Sequence, residues 1–217
     1  MSAGESSDQV IAIIDYGAGN LRSVANAIMK LGYQPSVTSN HSDVLSAAAV
    51  IFPGVGAAAD TMHSLTESGM SQVIRQLITE GRSLFAICVG MQVLFSGSEE
   101  GGWHECLGII PGTVRKLPPK LKIPHIGWNQ IKQRVMHPIF DAIPDEANFY
   151  FVHSYYADPD DTKFIAATTD YGVSICSMLI KGNLVATQFH PEKSGDYGLR
   201  MYANFLKMAL RGKHAKS

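Results

Sequence analysis

Cysteine, histidine and glutamate side chains offer the clearest chemistry in this sequence. Cys88 lies in Ser83-Leu84-Phe85-Ala86-Ile87-Cys88-Val89-Gly90-Met91-Gln92. His190 and Glu192 lie in Gln188-Phe189-His190-Pro191-Glu192-Lys193-Ser194. Leu84 to Ile87 form an apolar run of strand character that ends at the thiol. A small-residue break follows, and a helix-like apolar pattern continues through Val93, Leu94 and Phe95. A thiol at such a strand-to-helix turn is expected to be exposed at the sheet edge and to face a helix N-terminus. The positive end of that helix favours the thiolate, which is the nucleophilic form. The layout is that of a hydrolase nucleophile elbow with sulfur in place of oxygen.

His190 and Glu192 supply what a nucleophile needs. In an extended segment, residues two apart point to the same side, about 6.5–7 Å apart along the chain. The glutamate then contacts one imidazole nitrogen while the other faces the thiol, and Pro191 stiffens the backbone between them. A carboxylate that orients the ring and stabilises the imidazolium completes the logic of a catalytic triad. The bland alternatives are a core cysteine and a polar turn after a strand; whether Cys88 and His190 meet depends on the fold.

Two glycine-containing turns have different meanings. Pro53-Gly54-Val55-Gly56 follows an apolar run, and its glycines allow backbone N–H groups to approach an anionic oxygen closely. Gly54, Val55 and the N–H of Val89, directly after the thiol, are the candidate oxyanion donors. Asp15-Tyr16-Gly17-Ala18-Gly19-Asn20 offers only Gly-x-Gly after a strand. It lacks the third glycine and the downstream acidic strand end of a dinucleotide site, so that site is rejected.

These residues need a frame. Val10–Ile14 reads as a strand buried on both faces. Asn20 then caps a helix with Leu21, Val24, Ala25, Ile28 and Leu31 on one face and Gly32 as its stop. Strands are expected at Ser36–Ser39, Ala49–Phe52 and Ser83–Ile87, with helices at His41–Ala47 and over 70–80. This alternation predicts an α/β domain with a mostly parallel sheet covered by helices. After about residue 101 turn residues recur every eight to twelve positions. Antiparallel strands are expected there at Gly112–Leu117, Ile126–Gln130, Asn148–Tyr156, Phe164–Thr169, Ser174–Ile180 and Asn183–Phe189. Lys181-Gly182-Asn183 forms a hairpin turn, and an amphipathic helix at Tyr197–Leu210 closes the fold. The expected organisation is a loose tail at 1–9, one domain at 10–211 and a short tail at 212–217.

Bulk properties narrow the function. The 217 residues suit one substantial domain, and the formal charge of −1 gives no hint of a nucleic-acid or anionic-membrane partner, either of which calls for a basic patch. Pro53, Gly54 and Gly56 interrupt the longest apolar stretch, which excludes a membrane span there, and the N-terminus lacks the pattern of a secretory signal. Three cysteines without paired spacing argue against a disulfide framework or a zinc site. No metal or cofactor is expected, and a reducing, cytoplasmic setting is.

Pro53-Gly54-Val55-Gly56, Ile87-Cys88-Val89-Gly90-Met91-Gln92 and Phe189-His190-Pro191-Glu192 together resemble the class I (triad) glutamine amidotransferases. Three further blocks are similar to the branch of that family that serves as glutaminase subunits in imidazole glycerol phosphate synthesis. They are Asp15-Tyr16-Gly17-Ala18-Gly19-Asn20-Leu21, Pro124-His125-Ile126-Gly127-Trp128-Asn129 and Tyr150-Phe151-Val152-His153-Ser154-Tyr155-Tyr156. The resemblance covers roughly residues 10–210. It implies L-glutamine as substrate, Cys88 as nucleophile, His190 as proton carrier and Glu192 as its orienter. It also implies oxyanion donors at Val55 and Val89, the first of them often misaligned until a partner signals. Gly56, Gln92, Glu100, His153, Ser154 and Tyr155 match positions around the substrate. His125, Trp128, Asn129 and Lys193 match the face toward a (βα)8-barrel cyclase, the implied heterodimer partner. One residue departs from the pattern: Ala86 stands where the family's elbow usually has glycine. A glutaminase for pyridoxal phosphate, anthranilate or guanylate synthesis would share the triad, and a non-catalytic module of the same fold would not need it.

Overall fold

The computed structural model describes residues 10–17 and 19–214, the last three by backbone alone. The expected tail at 1–9 lies outside the described residues. The first half of the chain alternates strand and helix: β1 (Ile11–Ile14), α1 (Leu21–Lys30), β2 (Pro35–Thr38), α2 (His41–Ser46), β3 (Ala49–Gly54), α3 (Ala58–Glu67), α4 (Met70–Thr79), β4 (Leu84–Cys88) and α5 (Val89–Gln92). β1, β3 and β4 are buried along their whole length, as their unbroken apolar runs require of strands covered on both faces. Strands then predominate: β5 (Phe95–Ser98), β6 (His104–Glu105), β7 (Ile110–Lys116), β8 (His125–Gln130), β9 (Lys132–Gln133), β10 (Asn148–His153), β11 (Tyr155–Pro159), β12 (Ile165–Asp170), β13 (Ser174–Lys181) and β14 (Leu184–Thr187). Helix α6 (Gly195–His214) follows, its backbone continuing past residue 211, where the sequence puts the end of the domain.

The main sheet runs β2-β1-β3-β4-β14-β13-β11-β7-β5-β6. From β2 to β14 all neighbours are parallel. The hairpin at Gly182 then turns the sheet antiparallel through β13, β11 and β7. Helix α6 lays Tyr202 and Phe205 against Phe85 of β4, with ring centroids 5.4 and 5.1 Å apart. Thus the stripe of Tyr202, Phe205, Leu206 and Ala209 is core, as its spacing predicts.

Several expectations change. Asn20 occupies the N-cap position of α1 but makes no side-chain cap bond, whereas Asn40 caps α2 by accepting from the amides of Ser42 and Asp43. Helix α3 adds to the expected elements, because its buried face is made of Ala58, Thr61 and Leu65, too small and mixed to stand out. The helix after Cys88 lasts one turn only, and Phe95 begins β5, pairing in parallel with Ile110. The expected strand Asn148–Tyr156 is two strands. β10 pairs with β8 in a separate two-stranded sheet, and the chain changes sheets at Ser154 so that β11 pairs with β7 and β13.

Candidate active site

Parallel strands deliver the candidate residues to one place. β1, β3, β4 and β14 end on the same side of the sheet, and the segments leaving them carry Tyr16, Gly54 to Gly56, Cys88 and His190. The crevice at the carboxyl ends of such strands is where α/β sheets usually bind ligands. In the parallel register Thr187 lies beside Ile87, so the next residues along, Gln188 and Cys88, leave the sheet side by side. The thiol and the histidine segment meet for that reason, although about a hundred residues separate them.

Cys88 has φ 55° and ψ −111°, a left-handed conformation that a side chain rarely adopts. The elbow that imposes it is crowded. A Cβ on Gly90 would lie 2.4 Å from the carbonyl oxygen of Phe52, and one on Gly54 would lie 2.4 Å from the Gly90 nitrogen. Crowding therefore falls on Gly54 and Gly90, while Ala86 sits fully buried between Phe52 and Ala186 in the sheet. The thiol is 5% exposed at the end of a central strand, a correction to the expected exposed sheet edge. Its Sγ lies 4.0 Å from the Val152 carbonyl and 3.7 Å from Nε2 of Gln188.

His190 donates from Nδ1 to Oε1 of Glu192 at 2.8 Å, and both side chains are almost wholly buried. The segment between them is not extended. Pro191–Lys193 forms a 3₁₀ turn with Pro191 in its first turn, where a missing N–H costs nothing, and the turn closes the carboxylate onto the ring. Nε2 of His190 is buried and has no hydrogen-bond partner. Burial alone would lower the basicity of this imidazole; its interactions with Cys88 and Glu192 overcome that and hold it well above its ordinary range. The coupling to Cys88 is electrostatic here, since no bond from Nε2 to the sulfur is formed. Behind Glu192 the buried Tyr202 hydroxyl is held protonated by burial and by the neighbouring carboxylate.

A cavity of about 420 Å³ opens on the thiol, large enough for an amino acid. Val55, Gly56, Val89, Gln92, Glu100, His153, Ser154, Tyr155, His190 and Lys193 line it with Cys88, so most residues singled out in the sequence converge there. Oε2 of Glu100 accepts from the Ala58 amide at the start of α3, 2.8 Å away. Another cavity of about 450 Å³ lies near Arg134, Asp158 and Lys163, and none of the candidate residues lines it.

The block at 125–129 divides between two faces. His125 is 3% exposed, which removes its side chain from any partner-facing surface. Trp128 is 56% exposed and Ile126 58% on the opposite side of β8. Trp128 stands edge-on to Tyr150, over which Lys193 places its ammonium, so those three share a face. Asn129 binds the Asp170 carbonyl.

Two residues near the thiol have no role assigned from the sequence. Gln188 is fully buried against Cys88, a position that follows only from the register of β4 and β14. Tyr16 is buried with its hydroxyl unpartnered. Burial, and to a smaller degree the Cys88 sulfur, pushes that hydroxyl up to about 12.

The family model for class-I glutamine amidotransferases matches residues 12–209. The chain is 60% identical over 204 residues to "Imidazole glycerol phosphate synthase subunit HisH" of Dehalococcoides mccartyi strain CBDB1, covering 94% of this chain and 100% of that protein. It is 54% identical over 202 residues to the protein of the same name in Chloroflexus aurantiacus, covering 91% of this chain and 95% of the relative. Among solved structures, a glutamine amidotransferase superposes with a TM-score of 0.72 at 18% identity, over 91% of this chain and 98% of that one. PurLQS from Thermotoga maritima gives 0.73 at 16% identity, over 93% and 99%. At these identities the structures show a shared fold.

Proposed function

The chain belongs to the class-I glutamine amidotransferases, and from that premise we propose that it hydrolyses L-glutamine at Cys88 and supplies the ammonia to a partner subunit. The observation that carries the proposal is the meeting of a strained, buried thiol with a carboxylate-oriented imidazole at the mouth of an amino-acid-sized cavity.

The Cys88 thiolate attacks the side-chain amide carbon of glutamine, and the carbonyl oxygen takes the negative charge. N–H groups of Val89 and Val55, residues of the cavity wall, hold that oxyanion, and Gly54 keeps the strand close to the elbow. His190, charged through its interactions with Cys88 and Glu192, gives its proton to the departing nitrogen, which leaves as ammonia. A water molecule deprotonated by His190 then cleaves the thioester, releasing glutamate and restoring the thiol. Glu192 keeps the Nδ1 proton in place throughout. Gln92 and Glu100 hold the amino-acid end of the substrate, and His153, Ser154 and Tyr155 line its other side, with Gly56 on the same cavity wall.

The identity with relatives named for imidazole glycerol phosphate synthase supports a cyclase as the partner and histidine biosynthesis as the setting. The exposed Trp128, flanked by Tyr150, Lys193 and Ile126, is the surface we assign to that partner. Among the described residues no helix is long and apolar enough to cross a membrane, and three free thiols fit a reducing cytoplasm.

The test measures ammonia release from glutamine by the chain alone, with the cyclase, and with the cyclase plus its nucleotide ligand. Strong stimulation by the full set is expected. Brisk hydrolysis by the chain alone, indifferent to the cyclase, would overturn the assignment of partner.

A further inference from the structure

Two buried neutral histidines outside the triad tie the partner-side ribbon to the thiol. Antiparallel register places His125 of β8 directly opposite His153 of β10. His125 Nδ1 and His153 Nε2 are 2.9 Å apart, and His153 Nδ1 is 2.9 Å from the Tyr155 carbonyl. Nε2 of Gln92 reaches the same carbonyl at 2.9 Å and also Oε1 of Gln188 at 2.9 Å.

A carbonyl oxygen can only accept, and this fixes the direction of every bond around it. His153 must donate from Nδ1 to Tyr155. Its Nε2 therefore accepts, so His125 must donate from Nδ1. Nε2 of His125 is then an acceptor, facing an amide N–H of Asn129 at 3.4 Å. On the other side of the carbonyl, Gln92 presents its NH₂ to both partners. Gln188 must meet it with oxygen, which turns the Gln188 NH₂ toward the sulfur of Cys88, 3.7 Å away. Burial lowers the basicity of both histidines, so neither gains the second N–H that would break the sequence. His125 is stacked between Phe151 and Tyr171, with centroids 4.9 and 3.9 Å away, and cannot swing out of line.

We propose that Gln188 is a hydrogen-bond donor to the Cys88 thiolate, held in that orientation by Gln92, and that two series of hydrogen bonds converging on the Tyr155 carbonyl, one from Asn129 through His125 and His153 and the other from Gln92, keep that carbonyl in place. Gln188 touches the reacting sulfur. His125, His153 and Gln92 are positioning residues that act through it. The inference rests on Cys88 being the nucleophile and adds to the glutaminase a donor outside the oxyanion hole. It also gives His125, buried beneath the exposed Ile126 and Trp128 face, a route to the thiol.

Two measurements test this, and neither needs glutamine turnover. The first is the ¹⁵N NMR of the imidazoles in the unaltered chain at neutral pH, where both His125 and His153 are expected to be neutral and protonated on Nδ1. A proton on Nε2 of either ring would overturn the direction of the series. The second is the pH midpoint for alkylation of Cys88, followed on its own peptide. The groups that bear on this midpoint are His190 and Glu192 beyond β14, Tyr16 beyond β1, His153 of β10, and Glu100 and Lys193 on the cavity wall. Gln188→Leu is expected to raise the midpoint by about one pH unit, the effect of one hydrogen bond to a charged acceptor. Gln188→Glu, which keeps the shape and replaces the donor with an anion, shifts it in the same direction and serves if the leucine variant does not fold. His125→Phe keeps the aromatic stack, removes the donor and raises the midpoint less. In the double variant with Gln188→Leu the midpoint moves no further than in Gln188→Leu alone. An unchanged midpoint in the Gln188 variants would overturn the donor, and full additivity would overturn the series. Loss of glutaminase chemistry at Cys88 would instead sink the proposed function while leaving the tautomers to be decided separately.

Discussion

Substitution of Gly90 by alanine tests whether the elbow geometry sustains the chemistry. Gly90 has no positive φ, so alanine meets no backbone strain there; the effect is one of space. Its Cβ would lie 2.4 Å from the Phe52 carbonyl oxygen, and ordinary contact begins near 3.4 Å, so β3 and α5 must separate by about 1 Å. Both sides of that gap belong to the site, for β3 continues into Gly54 and Val55 and α5 begins with Val89 after Cys88. A displacement of about 1 Å in a catalytic constellation costs on the order of 100-fold in rate. Overpacking of a tight contact costs about 1–3 kcal/mol of stability. The assay pairs ammonia release by the chain with its partner and ligand with a denaturant titration of the chain alone. Gly81→Ala is the control: its Cβ meets nothing within 4 Å, its φ is +65°, and it lies at the far end of α4. That variant loses about 1 kcal/mol through left-handed strain and keeps its rate. Gly90→Ala with full activity and full stability would refute the crowded elbow; equal loss of rate in both variants would show that stability, not geometry, sets activity.

Three further outcomes are expected. Glu192→Gln keeps an acceptor for Nδ1 but removes the charge that sustains the imidazolium, and kcat for ammonia release falls on the order of 10³-fold; retention within tenfold would contradict the role given to the carboxylate. His153, held down to about 4 mainly by burial, makes stability depend on pH. The unfolded chain takes up this proton near its ordinary value of 6.5 while the folded chain resists to about 4, so the contribution is complete above 6.5 and lost as pH falls from 6.5 to 4. About 2 kcal/mol is gone at pH 5, and His153→Gln removes that part of the slope in denaturant titrations at pH 7 and 5; the same slope in both proteins would contradict the assignment. Trp128→Ala leaves the stability of the chain within about 0.5 kcal/mol and weakens cyclase binding by at least tenfold in calorimetry, whereas unchanged affinity would move the interface elsewhere.

Much of this is legible in the residues. β1, β3 and β4 are unbroken apolar runs, and strands buried on both faces leave that mark with little ambiguity. The elbow is legible because a strand, a reactive side chain and small residues follow one another directly. The partnership of His190 with Glu192 is legible too, though with the wrong backbone conformation, since Pro191 suits a 3₁₀ turn as well as an extended segment. Elsewhere local pattern is insufficient. Val93-Leu94-Phe95 fits a helix or a strand, and only pairing with Ile110 makes Phe95 a strand residue. Phe151 and Tyr156 read as one strand because nothing at Ser154 signals a change of sheet; that change is made by pairing partners far away in sequence. For Gln188 and His125 the informative contacts are across strands, so their roles emerge only with the register.

The most direct test of the central claim is ammonia release from glutamine by the Cys88→Ala chain assembled with its cyclase partner and nucleotide ligand. Assembly is expected to persist, with glutamine-dependent ammonia falling to the uncatalysed background. Ammonia release at the unaltered rate would contradict that claim, because no other thiol is within reach: Cys106 and Cys176 are buried away from the cavity.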